Sequence, residues 1–261
     1  MDTSYWQIQD TTKPLFPDIE WSKPERHDQA GRLGIIGGNN LGFAGVAESY
    51  TAASSAGVGS VRVLLPDVLK RTVPSVITDT IFAASNPSGG LARDALHEMR
   101  ALGDWANSIL LIGDAGRNSE TALVYDEFIA SYTGQLTITR DAIDLVKNNA
   151  SLLLDRDNTM LVASFAQVQK LFQSVYYPKV LTFSMHLAQL VEALHKFTLT
   201  YPVIIVTLHR NTVVVARNGY IVTQPWENPM TIWRGTTATR AASYWIWTPS
   251  RPIEAIAYSL I

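Results

Sequence analysis

The sequence predicts an α/β protein with a mainly parallel central sheet and helices on both faces. Short apolar runs alternate along the chain with longer segments of helical character, which is typical of repeated β–α–β units. The runs are continuously apolar, as expected when helices cover both faces of a parallel sheet. The length of 261 residues, 47% of them hydrophobic, suits one large domain over residues 1–261.

The clearest unit spans residues 31–66. It consists of an apolar run that ends at Gly37 and Gly38, a segment of small residues at 44–56, and a second apolar run at 61–65. This order predicts a strand, a glycine turn, a helix and a second strand. Ligands of open α/β sheets bind where the strands end, so the glycine turn lies at the predicted binding edge.

The other elements follow from the same signals in chain order. Residues 1–30, with Trp6 and Trp21, are interpreted as an N-terminal arm whose aromatic anchors contact the same chain or another subunit. Together with 33–36 and 61–65, the strands of one mostly parallel sheet are predicted at 109–112, 136–138, 160–162 and 203–207. Helices are predicted at 91–102, 119–131, 141–148, 165–175, 182–197, 239–247 and 252–261.

A β-hairpin is predicted near the end of the sheet. Residues 212–216 and 220–223 flank Asn218 and Gly219, and an Asn-Gly pair favours the positive φ angles of a two-residue turn. Residues 224–237, which contain prolines and two tryptophans, are interpreted as a loop.

Charge and composition exclude several classes of function. The net charge of −2 gives no broad attraction to nucleic acid or to a membrane surface, so neither is an expected partner. The absence of cysteine excludes disulfides, thiolate metal sites and a cysteine nucleophile. No apolar run approaches the roughly 18 residues of a membrane span, and the polar N-terminus does not resemble a signal peptide. We therefore expect a cytoplasmic protein.

Three glycine turns are candidate binding sites. The first, Gly37-Gly38-Asn39-Asn40, could present backbone N–H groups and short amides to a polar ligand at a helix N-terminus, or be a plain strand-to-helix turn. Residues 113–116 form a second such turn. Residues 235–238 form a third, whose backbone and hydroxyls could cradle an anion.

Other polar and aromatic residues carry weaker signals. Asp141 follows a predicted strand, either as a ligand-binding carboxylate or as the cap of the next helix. The five histidines lack the spacing of metal ligands, and the chain has no nucleophile elbow or Walker loop. No catalytic residue and no metal ligand is therefore predicted. The run from Tyr244 to Trp247 is interpreted as core or as a subunit interface.

The three turns and the hairpin, in this order, resemble one family, the ADP- or ATP-dependent NAD(P)H-hydrate dehydratases of the ribokinase-like superfamily. The central unit of that family has a GGSDDYPGA-like turn, a helix of small residues and an AGAG-like turn. Here residues 37–45 match the first turn and residues 56–59 match the second, without a gap. The resemblance extends weakly over residues 6–261 and implies a ribokinase-like fold.

The resemblance also implies site residues. The family's GPGLG turn falls on residues 113–116, its DADAL stretch on 139–143, its NPTGN loop on 224–228 and its GTGD anion hole on 235–238. Substrate-binding roles are implied for Gly37, Gly38, Asn39, Asn40, Gly113 and Asp141. Nucleotide-binding roles are implied for Asn228, Gly235, Thr236 and Thr237. The implied cofactor is ADP or ATP with Mg²⁺, and the implied partner is a hydrated NAD(P)H or a related nucleotide.

Several family positions are changed in this chain. The Asp of the GTGD turn, the catalytic base of the family, is replaced by Ala238. The His and Glu of the family's TPHPGEF stretch are absent from residues 162–168, and its lysine-glycine pair falls on Leu208 and His209.

The family uses ADP or ATP to phosphorylate the hydroxyl of hydrated NADH or NADPH; phosphate then leaves and the dinucleotide is restored. Loss of a general base commonly costs about 10²–10⁴-fold in rate, so the predicted repair activity is weak or lost. The alternatives are a non-catalytic nucleotide sensor, an oligomeric scaffold, and a kinase-like enzyme with relocated residues.

The aromatic content of the arm and of residues 244–247 predicts a homo-oligomer, because aromatic side chains are enriched in interface cores. The resemblance implies the same. Light scattering at micromolar concentration should give the mass of a dimer or larger. A monomer mass would contradict this prediction.

Overall fold

The computed structural model describes residues 4–261 and contains one ten-stranded sheet. Its strands are β1 (Trp6–Ile8), β2 (Arg32–Gly37), β3 (Ser60–Pro66), β4 (Thr80–Ala83), β5 (Ser108–Gly113), β6 (Gln135–Thr139), β7 (Thr159–Ser164), β8 (Ile204–His209), β9 (Thr212–Arg217) and β10 (Tyr220–Pro225). The spatial order is β1-β10-β9-β8-β7-β6-β5-β2-β3-β4. All six predicted strands of the parallel sheet are confirmed, and each neighbouring pair among them is parallel.

Ten α-helices connect and cover these strands. They are α1 (Ala44–Ala56), α2 (Leu96–Trp105), α3 (Ser119–Ser131), α4 (Asp141–Val146), α5 (Ala150–Leu154), α6 (Phe165–Ser174), α7 (Leu187–Thr200), α8 (Pro229–Arg234), α9 (Thr236–Trp247) and α10 (Pro252–Ser259). Among residues 4–261, no helix is both long enough and apolar enough to cross a bilayer.

Two apolar layers lie on opposite faces of the sheet. Along β5, Ile109 and Leu111 belong to the layer covered by α2–α7, whereas Leu110 and Ile112 belong to the layer covered by α1 and α8–α10. This alternation buries both faces of each central strand. It explains why those strands are continuous apolar runs in the sequence.

The hairpin prediction is also confirmed. β9 pairs antiparallel with both β8 and β10. Asn218 and Gly219 connect the strands with φ angles of 48° and 78°, as the Asn-Gly pair predicts.

The N-terminal segment lies against its own chain. Gln9 is fully buried, and its amide donates to Gln224 Oε1 and to the carbonyl oxygen of Ala257, both at 2.7 Å. The indole of Trp6 donates to Thr223 Oγ1 at 2.8 Å. Trp21, by contrast, is 88% exposed and does not anchor the segment in this chain.

Several element boundaries differ from prediction. The predicted loop at 224–237 contains α8, and α9 begins at Thr236 instead of 239. The helix predicted from 182 begins at Leu187, because Gln189 hydrogen-bonds back to the backbone N–H of His186 at 2.9 Å. The helix predicted from 91 begins at Leu96, because the carbonyl oxygen of Leu91 accepts hydrogen bonds from Asn86 and Thr121.

An aromatic cluster stabilises the face covered by α7. Phe197 is fully buried and stacks on Phe172 with ring centroids 4.0 Å apart. Tyr177 and Tyr201 contact the same ring at 5.0 Å and 4.7 Å.

Phe197→Ala should lower the free energy of unfolding by about 3–5 kcal/mol, because it removes a buried ring and leaves a cavity. Leu199→Ala is the matched control on the same helix, since Leu199 is 63% exposed and its loss should change stability by about 0.5 kcal/mol or less. Urea unfolding measures both. Equal midpoints for the two variants would contradict the assigned packing.

Candidate functional site

The candidate site lies where β2 and β5 end side by side. The chain leaves β2 toward β3 on one side and returns as β5 on the other side, so this pair marks the point at which the strand order reverses. The helices that follow, α1 and α3, cover opposite faces of the sheet. A crevice at this point is the usual ligand site of open α/β sheets.

Close backbone contacts join the first two glycine turns. The N–H of Gly38 donates to the carbonyl oxygen of Gly113 at 2.8 Å, and a Cβ at Gly37 would come within 2.3 Å of that oxygen. Gly113 itself has φ +90°, and a Cβ there would meet a carboxylate oxygen of Asp141 at 2.1 Å. These glycines are therefore required for the strand ends to meet.

Asp141 ties the second turn to the end of β6. Its Oδ1 accepts the N–H of Asp114 at 2.7 Å and its Oδ2 accepts that of Ala115 at 3.2 Å. The carboxylate thus organises the neighbouring turn and makes no cap bond to the helix that Asp141 begins. Tyr125 is buried below these residues; burial, followed by the carboxylates of Asp141 and Asp114, raises the pKa of its hydroxyl, so it stays protonated.

The two asparagines of the first turn point to different partners. Asn39 is 8% exposed, its Oδ1 accepts the N–H of Leu41 at 2.7 Å, and its amide nitrogen lies beside Gly116. Asn40 is exposed, and its N–H donates to Gly89 at 3.0 Å. The structure thus brings Asn39 to the crevice with Gly37, Gly38, Gly113 and Asp141 and leaves Asn40 at the rim.

The third turn is a tight junction between two helices. Gly235, at φ +95°, ends α8 and begins α9, and a Cβ there would come within 2.3 Å of Ile112 and 3.5 Å of Ser49. The hydroxyl of Thr237 donates to Thr231 Oγ1 at 3.3 Å. Gly235 thus lies near the first turns of α1.

Ala238 occupies the place that the resemblance gives to the catalytic base. Its side chain is fully buried and belongs to the apolar layer between α9 and the sheet. Asn228 lies one helix away at the start of α8, where its carbonyl oxygen accepts hydrogen bonds from Trp226 and Thr231. Because Thr231 also accepts the hydroxyl of Thr237, Asn228 is linked to the third turn through this one side chain.

An ion pair that the sequence did not reveal occupies the space between α1 and the α8–α9 junction. Asp114 Oδ2 accepts the N–H of Gly45 at 2.5 Å, and its Oδ1 pairs with Nη2 of Arg140. Nη1 of Arg140 donates to the carbonyl oxygen of Arg234 at 3.2 Å. The Asp114–Arg140 pair thus lies between the first and third turns.

Both members of the pair have unusual backbone conformations. Asp114 and Arg140 have φ angles of 55° and 57°, which non-glycine residues adopt at a cost of about 1–3 kcal/mol. Such strain clusters at functional sites. The only signals in the sequence were an Asp inside a glycine turn and an Arg directly before Asp141.

A cavity of about 360 Å³ lies beside the ion pair, within the range of small-molecule sites. Its apolar wall is formed by Val162, Ile232 and Trp233. Its polar lining consists of Asp114, Thr139, Arg140, Asp141, Ser164 and Gln167.

Ser164 and Gln167 stand at the positions where the family has His and Glu, and both line the polar wall. Together they form the capping box of α6. The Gln167 amide also donates to the carbonyl oxygen of Arg140 at 2.8 Å and to Asp144 at 2.9 Å. Burial favours a higher pKa for Asp144, but the bonds from Gln167 and Lys147 outweigh it and the pKa is lowered. Within residues 4–261, no three His, Asp or Glu side chains are grouped to hold a metal ion.

Arg140→Met should lower the free energy of unfolding by about 1–3 kcal/mol, because it leaves a half-buried carboxylate without its charged partner. Asp114→Asn keeps a residue that tolerates positive φ, and the double variant should show a coupling of about 0.5–3 kcal/mol. Arg117→Met, at an exposed position, is the control. Denaturant unfolding measures the cycle, and strict additivity would contradict the bridging role.

Comparison with known proteins supports the fold. No protein-family model matches the chain, and no curated protein matches it. Among solved structures, a ribokinase-like superfamily protein from Enterococcus faecalis aligns with a TM-score of 0.72 at 16% identity, covering 99% of this chain and 87% of that one.

Two enzymes align with lower scores. An ADP/ATP-dependent NAD(P)H-hydrate dehydratase from Bacillus subtilis, crystallised with ATP and Mg²⁺ and soaked with CoA, has a TM-score of 0.63 at 13% identity over 94% of this chain and 85% of that one. A phosphomethylpyrimidine kinase from Clostridium difficile has a TM-score of 0.54 at 12% identity over 88% and 96%. The chain therefore has the α/β fold of the ribokinase-like superfamily, which NAD(P)H-hydrate dehydratase also has.

Proposed function

We propose that this chain is a non-catalytic relative of the NAD(P)H-hydrate dehydratases, which binds a nucleotide or related ligand at the crevice without efficient turnover. The observation that carries the proposal is the buried methyl group of Ala238 at the place implied for the catalytic base. Phosphorylation of a substrate hydroxyl needs a proton acceptor within hydrogen-bond reach, and this side chain has none.

The other carboxylates at the crevice are already occupied. Both oxygens of Asp141 accept backbone N–H groups. Both oxygens of Asp114 are bound, one by the N–H of Gly45 and one by Arg140. A substrate hydroxyl would have to displace one of these bonds before either carboxylate could accept its proton.

The residues fit a nucleotide phosphate only in part. The 12-residue helix α9 starts at Thr236 with Gly235 as its N-cap, and free N–H groups at a helix N-terminus favour anions. Mg²⁺ is commonly bound through substrate phosphates and one or two carboxylates, and both crevice carboxylates are engaged. Nucleotide binding that survives the loss of turnover is therefore consistent with the geometry.

A second candidate is a kinase-like enzyme with a relocated base. The strained backbone of Asp114 and Arg140 favours it, because strain persists where the surrounding structure enforces it, often at active sites. In this alternative Arg140 swings away and Asp114 accepts the proton. The scaffold alternative predicts that neither binding nor turnover occurs.

Purified protein should restore NADH from its hydrate with ADP or ATP and Mg²⁺ about 10²–10⁴-fold more slowly than an intact dehydratase, since it lacks the general base. The absorbance of restored NADH measures the rate. A rate comparable to the intact enzyme would contradict the proposal. In that case, loss of the rate in Asp114→Asn would identify the relocated base.

Thermal unfolding with ADP, ATP or NADPH separates the remaining alternatives, because a ligand that binds only the folded state raises Tm. Stabilisation without turnover supports the sensor, and the absence of both supports the scaffold. Ala238→Asp is expected not to restore turnover. The new carboxylate would be buried in an apolar layer, which is costly without a charged partner, so this variant should also unfold at a lower temperature.

A further inference from the structure

A second cavity, outside the crevice, runs as a groove between α1 and α9. Its volume is about 560 Å³, which lies within the range of small-molecule sites. The helices run side by side in the same direction, since Gly235 lies beside Ser49 at one end and Lys23 contacts both Gly57 and the ring of Trp247 at the other. This groove and the crevice cavity share no lining residue.

Short side chains on α1 create the open space. Ala52, Ser55 and Ala56 line one wall, and Ser55 is exposed. Small residues on the inner side of α1 let the helix approach the sheet, but that role does not extend to its outer side. The groove is therefore open because the outer side of α1 carries small residues, although packing of α1 on the sheet does not require them to be small.

Two cations face this space from different elements. Lys23 enters from the N-terminal segment, with Nζ 5.5 Å from the centroid of the Trp247 ring. Arg240 enters from α9, where it lines the groove with Tyr244. Within the described part of the chain, neither cation has a carboxylate partner within 4 Å, unlike Arg62, Arg93 and Arg140. Both keep donors available for an anion.

The opposite end of the groove has a different character. Glu48 from α1 and Thr236 from α9 line it, and Glu48 forms no salt bridge within residues 4–261. A carboxylate accepts hydrogen bonds from ligand hydroxyls, as acidic residues do toward ribose, and it repels a phosphate. The groove is therefore polarised along its length, with Lys23 at one end, Glu48 and Thr236 at the other, and Arg240 between them, one helical turn from Thr236.

We propose that this groove binds a compact phosphorylated polyol, with the phosphate at Lys23 and Arg240 and the hydroxyls toward Glu48 and Thr236. Arg and Lys bind phosphate through charge-assisted hydrogen bonds, and the guanidinium of Arg240 adds a planar fork. The groove shares Thr236 with the nucleotide-binding positions implied at the start of α9, but its cations, Lys23 and Arg240, lie outside those positions, so the proposal does not depend on the crevice function.

Isothermal titration calorimetry of the full chain with ribose 5-phosphate tests the proposal, with ribose alone and inorganic phosphate alone as comparison ligands. Ribose 5-phosphate should bind saturably and more tightly than either comparison ligand. Lys23→Gln/Arg240→Gln should weaken it about tenfold or more, since each charged hydrogen bond is worth more than the free energy of a tenfold change. The exposed pair Lys70→Gln/Arg71→Gln is the matched control and should change affinity less than twofold.

Two further variants keep the test decisive. Ser55→Leu should abolish binding by filling the groove while leaving both cations in place, and leucine suits a helix better than serine. Glu48→Gln should weaken ribose 5-phosphate but not inorganic phosphate. Absence of saturable binding, or equal weakening by the control pair, would overturn the proposal. Equal affinity for inorganic phosphate, insensitive to Glu48→Gln, would overturn the assignment of a polyol.

Discussion

The organisation of the whole carboxyl edge depends on the contact between the backbones of Gly37 and Gly113. No side chain fits between them, since a Cβ at Gly37 would come within 2.3 Å of a carbonyl oxygen. This approach sets the ends of β2 and β5 level, and from there α1 and α3 leave toward opposite faces. The carboxylate of Asp141 then holds the second turn in place. The crevice, the ion pair beside it and the neighbouring cavity are arranged around that contact.

The strands of the central sheet could be predicted because strands that are buried on both faces appear in the sequence as continuous apolar runs. The boundaries of α3 were predicted as observed, since Asn118 accepts hydrogen bonds from the N–H groups of Glu120 and Thr121. Short edge elements gave no comparable signal: β1 has three residues and β4 has four. The helix α8, with six residues, is too short for a periodic pattern.

The part of the candidate site that consists of backbone turns could be predicted from the sequence, whereas its side-chain contacts could not. The glycines at 37, 38, 113 and 235 were identified because they mark strand and helix ends, and the structure gathers them at one edge. The Asp114–Arg140 pair was not, because the two residues are 26 positions apart and meet only once β5 and β6 are adjacent. The role of Asp141 as a tie between turns was missed for the same reason.

The solved structures that align with this chain share its fold but few of its residues. Identities of 12–16% accompany alignments over 88–99% of the chain, so the architecture is shared while most residues differ. A fold of this kind supports several activities. In this chain Ala238 is fully buried, and the crevice holds the Asp114–Arg140 ion pair.

The tie between the N-terminal segment and β10 has a consequence for synthesis of the protein. Trp6 hydrogen-bonds to Thr223, 217 residues later, and Gln9 reaches Ala257, 248 residues later. On the ribosome the first strand therefore emerges long before its partner strand exists, while the central parallel strands can already begin to associate. Such distant pairings form slowly, and an unpaired strand edge invites association with other chains. The strand β1 therefore completes its native pairing only after β10 has been synthesised.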